Sequence, residues 1–141
     1  MTEDSASMAI TLSEQDKTTL RIAAYGSVTL LSAAGAAGGS PHKIATTGSI
    51  ALGSATGLVG HVLAEYPKSK ELNGRSVADI ADRVLPALTA AMSLLKEQAP
   101  EEAENFRSTV ITAIESATHH GQPGPVVADM IRKITKALDA A

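Results

Sequence analysis

The chain of 141 residues has no cysteine and no tryptophan. That excludes disulfides, thiolate chemistry, and Cys-ligated zinc or iron–sulfur centres. Aromatic side chains are nearly absent too: Phe106, Tyr25 and Tyr66 are the whole set. A surface that stacks nucleic-acid bases needs rings or arginine planes in number, so this composition fits one poorly. Charged residues make up 19% of the chain, below the roughly 25% of an average globular domain. The 12 basic residues are scattered and the formal net charge is −3, so nothing steers the chain toward nucleic acid or an anionic membrane. Glu3 and Asp4 stand where a secretory signal would carry positive charge, and no apolar core follows them, which predicts a cytoplasmic protein.

What is present is alanine, leucine, valine and isoleucine at helical spacing. Strand signals and repeat periods are lacking, so the expected fold is all-α, a compact bundle of about five helices. Residues 1–12 read as a loose segment and 13–141 as a single helical domain. Ser13 caps a first helix over about 14–34, whose Leu20, Ala24, Val28 and Leu31 share a face. Gly35 ends it, and the run from Gly38 to Pro41 is a loop. Pro41 opens a second helix predicted to continue to about Glu65, and Asn73-Gly74 turns the loop that follows. The third helix begins at the Ser76-Val-Ala-Asp79 cap and carries Val77, Ile80, Ala81, Val84, Leu88, Met92 and Leu95 inward. Pro86 lies inside that stripe and predicts either a kink or a break into two shorter helices. Pro100 starts a fourth helix to about Thr118, and Pro125 a fifth to about Leu138.

One region departs from the amphipathic pattern. Between Ile22 and Ala64 the only formally charged side chain is Lys43, so the first two helices form a largely uncharged hairpin. On a wheel, Leu52, Ala55, Val59, Val62 and Leu63 occupy one side of the second helix. Gly53, Gly57, Ala64 and Ile50 lie opposite, with Gly60 at their edge. Interior glycine disfavours a helix by about 1 kcal/mol relative to alanine, so four of them (48, 53, 57 and 60) imply a reason such as close approach of another helix. Either the second helix is the centre of the bundle, or the glycine face lies at a homodimer interface. The candidate interface residues are Gly53, Gly57, Ile50 and Ala64, with Ile22 and Tyr25 on the outer face of the first helix. The run from Ile44 to Ala64 is long enough to span a bilayer, but His61, the glycines and the Ser and Thr content argue against insertion.

Histidine and carboxylate are the only metal-binding or acid–base groups on offer. His61 and Glu65, and likewise Glu115 and His119, are four residues apart and share a helical face. The wheel turns both pairs outward, so they read as surface pairs, and no metal or other cofactor is expected. Gly38, Gly39, His42 and Lys43 lead into a helix N-terminus and make a candidate anion site, although the P-loop spacing is missing. No catalytic residue is assigned. The leading functional expectation is a non-enzymatic, self-associating protein. The alternative is a small-ligand or anion-binding protein with a pocket between bundle helices near Pro86, and less favoured is a metal-dependent enzyme. Heavy use of Ala and Gly suits a high-GC bacterial genome.

Overall fold

The computed structural model describes residues 12–35, 41–67, 76–118 and 124–141. Among these the fold is an all-α bundle of six helices with no strand. They are α1 (Glu14–Gly35), α2 (Pro41–Gly53), α3 (Gly57–Leu63), α4 (Val77–Gln98), α5 (Pro100–Ala117) and α6 (Pro125–Asp139). Of the segment expected to be loose, residues 1–11 lie outside the described residues, and Leu12 is buried in the core. The loops expected over 36–40, 68–75 and 119–123 lie outside them as well.

Local chemistry sets most of the helix boundaries. The Ser13 hydroxyl accepts from Asp16 N–H at 3.0 Å, and the Ser76 hydroxyl from Asp79 N–H at 3.2 Å, each satisfying one of the four N–H groups a helix start leaves unpaired. Proline occupies the first position of α5 and α6, where its missing N–H is no loss. α4 runs unbroken through Pro86, which settles the alternative of two shorter helices. Pro86 is exposed, so the ring's steric demand falls on the solvent side.

The six-helix count corrects the expectation of about five, and the reason lies at residues 54–56. The single helix expected over 41–65 is two helices, α2 and α3, separated by a turn in which Ser54 N–H and Ala55 N–H reach back three residues to Ala51 O and Leu52 O, both at 3.2 Å. Gly57 then takes φ +73°, a left-handed conformation that disfavours any side chain. A Cβ at Gly60 would lie 2.6 Å from the Ala55 carbonyl carbon, so the turn also requires glycine there. Two of the four glycines are thus explained by the break rather than by a neighbouring helix. A third, Gly48, does mark a close approach: a Cβ there would meet both Val28 methyls at 2.8 Å.

α1 is the centre of the bundle and touches each of the other five helices. All six residues from Ala23 to Val28 are buried, and since that run exceeds a full turn, no side of the helix faces water. Ser27 is the buried polar side chain of this stretch and donates to Ala23 O at 2.7 Å. α1 gives Leu20, Leu30 and Leu31 to the core, and around it lie Leu52, Leu63, Leu88, Leu95, Phe106, Ile134 and Leu138, all fully buried. The outer faces of α4, α5 and α6 carry the charge. Arg107 grips Asp139 with two hydrogen bonds of 2.8 and 3.3 Å, which tie α5 to α6.

Candidate functional site

α2 differs from the other surface helices in what it shows to solvent. Thr46, Ile50, Gly53 and Ser54 are exposed, Ile50 to 65%, and from Ile44 to Ala64 there is no Asp, Glu, Lys or Arg. A Cβ built at Gly53 meets nothing within 4 Å. Thr56, Gly57, His61 and Ala64 continue the exposed surface along α3. The other two candidate interface residues lie elsewhere. Ile22 is half-buried and lines a groove between α1 and α4. Tyr25 is 5% exposed and points inward, its hydroxyl donating to Leu63 O at 2.6 Å. Burial, with the neighbouring Tyr66 adding to it, pushes the Tyr25 hydroxyl above the usual phenol range. Tyr66 is largely exposed and meets the Tyr25 ring edge-on at 4.9 Å.

α3 is held at both ends by side chains from other helices. Seven residues are too few for a helix to be stable alone, since isolated helices below about 12 residues are marginal. At its N-terminus Thr56 makes no side-chain cap. A carboxylate oxygen of Glu102, from α5, accepts from Val59 N–H at 3.0 Å, and Asn105 donates to Thr56 O at 2.9 Å. At the C-terminus the Arg21 guanidinium donates to Val62 O at 3.0 Å beside the Tyr25–Leu63 bond. A negative group sits at the start of the helix and a positive one at its end, the arrangement the helix dipole favours. Of these four residues the sequence singled out Tyr25 alone, and on the outer face rather than at the end of α3, because the partners are 38 to 49 positions away. Only the exceptional glycine content marked the region.

The remaining candidates are dispersed. His61, Glu65 and Glu115 are exposed, Glu65 lies 3.7 Å from Arg21, and His119 is outside the described residues. Among the described residues no group of three or more His, Asp or Glu is placed to hold a metal ion. Gly38 and Gly39 of the candidate anion site lie outside the described residues, as do the side chains of His42 and Lys43. Near Pro86 there is a groove of about 430 Å³ lined by Thr19, Ile22, Arg83, Pro86, Ala87 and Ala90. Its size falls within the range of ligand pockets, but Arg83, Pro86 and Ala90 are exposed, so it encloses less of a ligand than such pockets do. On α6, Asp129 is held below the usual carboxylate range by Lys133 and Arg132, an exposed ion-pair cluster of little energetic weight. No described helix is long and apolar enough to cross a membrane.

Comparison with known proteins finds no matching family model, no matching curated protein and no matching solved structure.

Proposed function

We propose that this chain is a non-enzymatic helical protein that self-associates, with the exposed, uncharged stretch of α2 around Ile50 and Gly53 meeting a second copy. The observation that carries the reading is Ile50, 65% exposed beside the open Gly53 on a helix without a charged side chain from Ile44 onward. A face of this kind is cheap to dehydrate, and its small residues let a partner helix come close. α2 has 13 residues and is therefore about 20 Å long, so the patch is small beside the roughly 800 Å² that each partner gives to a stable interface. The expected dimer is accordingly weak. Cytoplasmic residence and a bacterial source belong to the same reading.

Light scattering across a concentration series tests the proposal. Dimer should grow with concentration in the wild-type chain, and Ile50→Glu should abolish it while leaving the fold intact. A wild-type chain that stays monomeric at high micromolar concentration would overturn the reading. The small-ligand alternative is favoured by the α1–α4 groove, and a thermal-shift screen addresses it, because a ligand that binds only the native state raises its stability.

A further inference from the structure

α2 and α3 form one apolar stripe in sequence but follow two axes in space. Leu52, Ala55, Val59, Val62 and Leu63 recur at three- and four-residue spacing straight through the turn, and residues 42–66 contain no proline. The turn interrupts the regular ladder, leaving Val59 N–H to be taken up by Glu102 from α5 rather than by Ala55 O. A continuous helix would pair Gly57, Leu58 and Val59 N–H with the carbonyls of residues 53, 54 and 55 without help. The features that stabilise the bent form act on it alone. Gly57 supplies the left-handed φ, Gly60 makes room for the Ala55 carbonyl, and Glu102 and Asn105 clamp the start of α3.

We infer that residues 54–56 are a hinge at which the α1–α2 hairpin leaves its own α3–α6 and packs on those of a second copy, with α2 and α3 joined as one helix over residues 41–63. The exchange remakes the contacts of α1 with α3–α6 and of α2 with α5 between the two chains and gives up those between α2 and α3, so it differs from two closed monomers chiefly at the hinge and in the entropy of association. A joined helix of this length spans about 35 Å, enough to carry the hairpin away from its own chain. Gly57 and Gly60 set the balance toward the closed monomer. This route to a dimer goes beyond the face-to-face association proposed above and does not use Ile50.

Gly57→Ala is the direct test, because alanine disfavours the left-handed turn and favours the continuous helix. The variant and the wild-type chain are refolded from denaturant at high protein concentration, sized by light scattering, and checked for helix content by circular dichroism. The dimer-to-monomer ratio should rise roughly tenfold or more in the variant. Two batches carrying different fluorophores should then exchange subunits only under conditions that unfold the chain. A folded Gly57→Ala monomer at every concentration overturns the hinge. So does a dimer that exchanges subunits freely and is lost on adding Ile50→Glu, since the open α2 face then accounts for it. If Gly57→Ala does not fold, Gly60→Ala decides: its Cβ has no room beside the Ala55 carbonyl of the bent form but fits the continuous helix, so a slowly exchanging dimer supports the hinge and a folded monomer overturns it.

Discussion

In the stretch that carries almost no charge, from Ile22 to Ala64, the two long helices differ: α1 is enclosed on every side there, with Ala23 through Val28 buried without a gap, whereas α2 keeps Thr46, Ile50 and Gly53 at the surface. For α1 the absence of charge needs no further explanation, because a charged side chain anywhere on its middle turns would have to be buried. For α2 the same absence coincides with an exposed face, and burial within the chain does not account for it. Charge depletion in a sequence therefore has two physical sources. The difference between them shows only when the neighbours of each helix are known.

Placing a carboxylate on each helix would separate the two cases most sharply. Ala24→Glu puts a charge at a position with no exposure and should remove more than about 4 kcal/mol, enough to unfold the chain, as followed by circular dichroism and urea titration. A smaller loss is expected where the two helices touch. Gly48→Leu pushes into the Val28 methyls and should cost about 1–3 kcal/mol, read from the urea midpoint.

Tyr25→Phe should remove about 1 kcal/mol at neutral pH, because it takes away the bond to Leu63 O from inside the core. It also has a pH signature. The folded state holds the Tyr25 proton more tightly than the unfolded state does, so this contribution is complete below the ordinary phenol value of 10.0 and fades as pH rises beyond it. Wild-type stability should thus fall toward that of Tyr25→Phe in alkali, and two curves that stay parallel above pH 10 would contradict the assignment. The smallest effect belongs to the open face. Gly53→Glu should leave the monomer's stability within about 0.5 kcal/mol of wild type, and a large loss would mean that Gly53 is covered in the monomer.

Much of the fold was legible because it depends on neighbours three or four residues apart. The Ser13 and Ser76 caps, the proline starts of α5 and α6, and the inward stripe of α4 from Ile80 to Leu95 all follow from local spacing. The second helix was legible only as far as its buried side: Leu52, Val59, Val62 and Leu63 are inside as the wheel places them. Its continuity was not, since periodicity runs unbroken through a turn that keeps the same face inward. Tyr25 shows a similar limit. A tyrosine on the flank of an apolar stripe reads as surface until Leu63 O is found within reach of its hydroxyl.

The sequence by itself determined that this protein is all-α, which faces of its helices are apolar, and that one stretch of it carries almost no charge. Those properties come from side-chain type and 3.6-residue periodicity, and they hold whatever the neighbours are. Tertiary structure alone decided that α1 rather than α2 is enclosed, and that the chain bends at residues 54–56. The bend depends on Glu102 and Asn105 meeting the start of α3, and on Arg21 and Tyr25 meeting its end. Such contacts join residues some forty positions apart, and they exist only once the helices have packed.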